Sequence, residues 1–276
     1  MYYSDSHIHS NFSPDVHPSR RASVDDICST AYEIGLSHVA VTDHYEPMLY
    51  HNENGIPFPF EALVRDTALA KEKWRGRVSV ALGIEYGQPH LEPEQTQQVL
   101  SAYPFDIVLG SLHAHPTHGE YIKLNYAAMT DDERSALLDA YLEHYEIMAR
   151  TSPIDVITHP TYPLRYLLQQ GIPFDMRCWE ERMRAIFRTI IARGIGLEFN
   201  AAPRRVPNVG IPDHTVETLM RWYHDEGGRI VTFASDAHRP EDIGAYCQSS
   251  MHILREIGFR YIAVFENRKP VFHSIS

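Results

Sequence analysis

Short runs of apolar, often β-branched residues recur along the whole chain. Each is followed by a polar loop and then by a stretch whose apolar positions repeat at three and four residues, the period of a helix. A first strand ends in Asp5-Ser6-His7-Ile8-His9-Ser10. Ser23 then reads as an N-cap, with Val24, Ile27, Ala31 and Ile34 along one helical face and Gly35 as the stop. Strands are predicted over 38–42, 78–82, 106–112, 154–158, 195–199 and 229–234. A loop with Pro47, Pro57 and Pro59 follows the strand over 38–42. Helices are predicted between the strands: over about 61–74 and 92–102, after a Thr130/Glu133 capping box, along Trp179, Met183, Ile186 and Ile190, and after Asp213 as a cap. A last helix over about 246–257 and a final strand over 261–265 complete the pattern.

Seven or eight strand–helix units in series admit a closed α/β barrel or an open parallel sheet. His7, His9, His44, Glu85, His113, His159, Asp236 and His238 decide between them, because all stand at the C-terminal ends of different strands, from the first unit to the seventh. An open sheet would hold its first and seventh strands far apart, whereas a barrel gathers all strand ends on one rim. A barrel formed by residues 1–276 as one domain is therefore expected, with its site at that rim.

Composition narrows the class. A net charge of −11 argues against a general binder of nucleic acid or anionic membrane. Cys28, Cys178 and Cys247 lie far apart with no C-x-x-C spacing, which excludes a disulfide framework or a zinc ribbon and fits a reducing compartment. No stretch approaches the roughly 18 apolar residues of a membrane span, and no basic segment precedes an apolar one at the N-terminus. A cytoplasmic location is expected. The 17 histidines are the anomaly, since many sit where apolar runs end.

Two imidazoles two residues apart on a strand face the same side, so His7 and His9 form half of a metal site. The strand-end set, with Asp15 from the following loop, offers nine donors. That is too many for one ion and suits two or three sharing bridging groups. Imidazole and carboxylate without thiolate point to zinc, iron or manganese. Glu198 and Asn200 could orient ligands from behind. Asp5 is better placed as an acceptor beneath the rim than as a ligand. His90, His115 and His118 read as loop residues facing solvent or gating the site, and His51 as a surface residue.

Asp5-x-His7-x-His9-Ser10, Thr42-Asp43-His44, Gly83-Ile84-Glu85, Gly110-Ser111-Leu112-His113, the strand-end His159 and Ser235-Asp236-x-His238 resemble the motifs of the polymerase and histidinol phosphatase (PHP) superfamily. Over residues 3 to 268 the chain is similar to the stand-alone histidinol-phosphatase branch. The resemblance implies a distorted (β/α)7 TIM-like barrel with a trinuclear metal centre at its C-terminal rim. Its first ion would take His7, His9 and Asp236, with Glu85 bridging to a second held by His113 and His159. The third would take Asp15, His44 and His238.

The chemistry implied is hydrolysis of a small phosphate monoester, with L-histidinol phosphate as the substrate. A nucleotide or sugar phosphate is the alternative, and a non-catalytic metal-binding module a second. Three divalent ions would outweigh Asp15, Glu85 and Asp236 and draw phosphate in despite the acidic surface; a water bridging the ions, its pKa lowered towards about 7, would attack. Asp236, His238 or a metal-bound water could protonate the leaving group. Arg165, six residues past His159, and Arg204 and Arg205, after Asn200, are placed to bind the phosphate bidentately. Neither nucleic acid nor membrane is expected as a partner.

Overall fold

Strands β1 (Ser4–Ile8), β2 (His38–Val41), β3 (Ser79–Gly87), β4 (Ile107–Ser111), β5 (Val156–Ile157), β6 (Gly196–Asn200) and β7 (Val231–Ala234) pair in chain order, every pair parallel. They belong to a computed structural model that describes residues 2–47, 58–205 and 214–275. A two-residue strand, His44–Tyr45, extends β2 along β3. The sheet nearly closes on itself just beyond β7: Asp236 N donates to His7 O at 2.9 Å and His9 N to Ala237 O at 2.9 Å. The expected barrel of seven strands is thus the observed one among the described residues.

Helices α1 (Val24–Glu33), α2 (Phe60–Lys73), α3 (Pro93–Ala102), α4 (Asp131–Thr151), α5 (Tyr162–Gln169), α6 (Glu180–Arg193), α7 (His214–Asp225) and α8 (Cys247–Ile257) bury one face each. Capping boxes start two of them, Ser23 with Asp26 and Thr130 with Glu133, each satisfying N–H groups that the first turn leaves free. Leu138, Tyr141, Leu142, Tyr145 and Met148 form the buried stripe of α4. Ile34, read as part of the buried face of α1, is 51 % exposed, because it is the C-cap and lies beyond the last packed turn. The short helix α5 was not expected from the pattern. The predicted N-cap Asp213 and the predicted surface residue His51 lie outside the described residues.

The final predicted strand is real but does not join the barrel. β8 (Tyr261–Glu266) and β9 (Lys269–Ser274) form an antiparallel hairpin, turned by Asn267 and Arg268 at positive φ. Ala263 and Phe265 pack against Ala40, Ala81, Ile107, Leu109 and Val156, filling the N-terminal mouth of the barrel. Asp106 accepts the N–H of Asn267 at 3.1 Å, and the Arg268 guanidinium bonds Asp155 and, at 2.6 Å, Pro153 O. With that mouth filled, the site can open only at the opposite rim. No helix among the described residues is long and apolar enough to cross a membrane.

Candidate metal centre

The strand ends deliver their polar side chains around one carboxylate. Glu85, fully buried at the end of β3, presents Oε2 at 3.1 Å from His7 Nε2, 3.6 Å from His9 Nε2 and 3.2 Å from His44 Nε2. Its Oε1 lies 3.2 Å from His113 Nε2 and 2.9 Å from His159 Nε2. Asp236 Oδ1 is 3.4 Å from His9 Nε2 and 3.9 Å from His7 Nε2, and Asp15 Oδ2 is 3.2 Å from His44 Nε2 and 2.5 Å from His238 Nε2. All nine predicted donors therefore meet in one cluster. Asp236 reaches it from a backbone at φ 56°, a left-handed conformation uncommon for a non-glycine residue and typical of places where function over-determines the chain.

The donor set fits transition-metal ions. His7 Nε2, His9 Nε2 and Glu85 Oε2 are buried with no hydrogen-bond partner, although an unpartnered buried polar atom costs about 1–3 kcal/mol. Each is aimed at the others, as ligand atoms are. Three groups have donor atoms mutually within 4.8 Å: His7, His9 and Glu85; His44, Glu85 and His113; His9, Asp15, His44 and His238. His9 and His44 each fall in two groups, so the geometry is less neatly divided than the partition implied by resemblance.

Charges inside the cluster support one another. Burial would push the Glu85 carboxyl up, but His44, His7 and His113 hold it well below its ordinary value. Burial likewise opposes protonation of His7, yet Glu85, Glu198 and Asp236 raise its pKa well above the usual range. His9 goes the other way, down to about 3, through burial and the neighbouring His238 and His44.

Behind the donors stands a layer that fixes them. Glu198 accepts a hydrogen bond from His7 Nδ1 at 2.6 Å, which leaves Nε2 as the free lone pair. The same carboxylate accepts from His159 N at 3.3 Å and from Asn200 Nδ2 at 2.8 Å. Glu198 and Asn200 thus lie where an orienting role needs them. Asp5 accepts the N–H groups of Ser235 and Gly244, each at 2.9 Å, tying β1 to the chain after β7 rather than entering the cluster. Glu46, which the sequence reading missed, is buried against His113 and His44. Glu46 and Glu198 add two buried carboxylates, so the cationic excess expected from three ions is smaller than three carboxylates would leave.

Of the three predicted arginines, the structure brings one into the cleft of about 260 Å³ above the cluster. Arg165, on α5, donates to Asn200 Oδ1 at 3.3 Å and stands 3.8 Å from Asp236 Oδ2, while its Nε is buried without a partner. Arg204 lies instead over the Tyr246 ring and within 3.5 Å of Ser249 Oγ, away from the cleft. Arg205 bonds the carbonyls of Ser235 and, at 2.8 Å, Asp236, so its fork holds backbone. Neither lines the cleft, and the contacts of both guanidinia lie elsewhere in this structure. His115 accepts from Thr117 N at 3.2 Å and His90 pairs with His144 at 2.8 Å, both outside the cleft lining. Glu120, Tyr162 and Tyr166 line it and were not singled out; they come from a two-residue strand, Gly119–Glu120, paired with Ala114–His115, and from the unpredicted α5.

The model of the PHP domain matches residues 5–202. A probable histidinol-phosphatase of Thermotoga maritima is 27 % identical over 260 residues, covering 94 % of each chain, and the histidinol-phosphatase of Lactococcus lactis is 23 % identical over 270, covering 96 % of this chain and 95 % of that one. Among solved structures, the histidinol phosphate phosphatase of Lactococcus lactis, complexed with zinc, L-histidinol and phosphate, superposes with a TM-score of 0.80 at 19 % identity over 98 % of both chains. Since the matched span takes in well over half of the sequence, and within it His7, His9, His44, Glu85, His113 and His159 meet at one rim, the chain belongs to the PHP domain family.

Proposed function

We propose that this chain is a metal-dependent phosphomonoesterase that hydrolyses L-histidinol phosphate to L-histidinol and phosphate. The observation that carries the reading is the convergence of unpartnered buried donors, His7 Nε2, His9 Nε2 and Glu85 Oε2, beneath a cleft that Arg165 also lines. The relatives named for this activity align over nearly their whole length. Two or three divalent ions, zinc, iron or manganese, fit the donors: His7, His9 and Asp236; Glu85, His113 and His159; Asp15, His44 and His238.

When bound, such ions supply the Lewis acidity that activates water and offsets charge on a phosphoryl group. The chain's own residues do the rest. Arg165 offers guanidinium donors to phosphoryl oxygens in a pocket where Asn200 and Asp236 fix its plane. With two ions bound and its Nε2 free of metal, His238, partly exposed at the rim between Asp15 and Asp236, is placed to hand a proton to the departing alkoxide, with Asp236 beside it. Glu120, on the cleft wall with Tyr162 and Tyr166, suits the ammonium and imidazole of the substrate.

Metal analysis and a panel of phosphate esters test the reading. At least two ions per chain and a kcat/KM for L-histidinol phosphate well above those for nucleotide and sugar phosphates are expected. Equal turnover of all esters would leave a phosphoesterase of other specificity, and fewer than two ions with no turnover would leave a binding module.

A further inference from the structure

Glu46 stands on the opposite side of two imidazoles from Glu85. The Nε2 atoms of His44 and His113 each face Glu85 at 3.2 Å. Their Nδ1 atoms face Glu46 Oε1, that of His113 in hydrogen-bond contact and that of His44 at 3.6 Å with no hydrogen-bond partner of its own. The residue is 1 % exposed, so its charge depends on these neighbours for compensation.

The surroundings are shaped to keep it there. Gly87 leaves the space, since a Cβ at that position would fall 2.1 Å from Glu46 Oε2. Gln88 adopts φ 50°, which costs a non-glycine residue on the order of 1 kcal/mol or more. In that conformation its amide donates to Glu46 Oε2 at 2.8 Å and accepts from the N–H of His113 at 2.6 Å. A strained residue and an obligatory glycine thus fix one carboxylate and the backbone of its imidazole partner together.

We propose that Glu46 is a positioning residue that orients His44 and His113 from behind, so that a single carboxylate sets two imidazoles belonging to different ions. The inference rests on the metal reading of the site given above. An Nδ1–H donated to a carboxylate fixes the tautomer, leaves the Nε2 lone pair directed at the ion and makes the ring a stronger ligand. Because the Nδ1 atoms of both rings face this one carboxylate, one hydrogen-bonded to it and the other 3.6 Å away, disturbing it weakens two ions at once and spares the one held by His7, His9 and Asp236.

The test is titration of the metal-free full chain with zinc by calorimetry and with cobalt(II) by visible absorption, for wild type, E46Q and E46Q/Q88E. E46Q is expected to weaken the ions held through His44 and His113 by about 10–100-fold each, with the remaining ion unchanged. E46Q/Q88E restores a carboxylate–amide pair but sets the charge on the His113 backbone, so it is expected not to recover affinity. Wild-type affinities in E46Q, or recovery in the double variant, would overturn the proposal while leaving the metal site standing. Wild-type protein that binds no ion would overturn both. Should E46Q not fold, Q88A, which releases Glu46 without removing its charge, is expected to weaken the same two ions, and unchanged binding there overturns the proposal.

Discussion

His7 is held from both sides, its Nδ1 2.6 Å from Glu198 Oε2 and its Nε2 3.1 Å from Glu85 Oε2. The first contact decides which nitrogen carries the proton and so which is free to bind an ion. E198Q is therefore expected to lower zinc affinity about 10–100-fold while far-ultraviolet circular dichroism stays unchanged. Competition with a chromophoric chelator measures it, and wild-type affinity would remove Glu198 from the site.

The three arginines should separate by kind of effect. R165K replaces a planar fork with a point charge, and loss of a charge-assisted hydrogen bond of about 1.5–3 kcal/mol corresponds to roughly a 10–100-fold fall in kcat/KM. R204A, whose guanidinium lies over Tyr246, should leave kcat/KM within about twofold of wild type. R205A should show itself first in a lower Tm, because Arg205 bonds the Ser235 and Asp236 carbonyls. Steady-state kinetics with parallel thermal melts would contradict this if R204A and R165K lost activity alike.

Metal and proton compete for His113. Burial alone would lower its pKa, but Glu46 and Glu85 raise it from 6.5 to about 9 in the metal-free chain. A folded-state pKa above the unfolded one stabilises fully below pH 6.5 and ceases to do so as pH rises through about 9. The metal-free protein should lose stability across that window while zinc affinity rises, since the ion must displace the proton. Denaturation of chelator-treated protein at several pH values, with zinc calorimetry in buffers of differing ionisation enthalpy, would show both. A flat stability profile without proton release would contradict it.

At the other end of the barrel, R268A should destabilise without touching catalysis. It leaves the buried Asp155 carboxylate with the Val108 N–H at 2.7 Å and removes the charge that opposes the effect of burial. A cost on the order of 1–3 kcal/mol would lower Tm by several degrees. A loss of kcat with Tm unchanged would show that the hairpin communicates with the rim.

What the sequence made legible was whatever a strand end announces. His7, His44, Glu85, His113 and His159 follow apolar runs directly, so period and punctuation placed them on one rim. Glu46 was hidden because it follows Tyr45 at the start of a proline-bearing loop, and only the pairing of His44–Tyr45 with β3 turns it inward. Glu120 and Tyr166 were hidden because a two-residue strand and a two-turn helix carry little periodicity. The direction of Arg204 and Arg205 was not legible because adjacent residues on one helical turn point about 100° apart, and nothing local says which direction is the cleft. The hairpin looked like one more strand because an antiparallel plug and a barrel strand share the same alternation.

The seam where β1 meets the chain after β7 has a consequence for the order of folding. Asp5 and Ser235, bonded across it, are 230 residues apart in sequence. Contacts of that separation form late, after the loop entropy between them has been overcome. His7 and His9 stand on one lip of the seam and Asp236 on the other, so the ion proposed to join them would clasp the two ends of the chain. An ion bound there would add its binding free energy to the closure of that seam, which backbone hydrogen bonds already make.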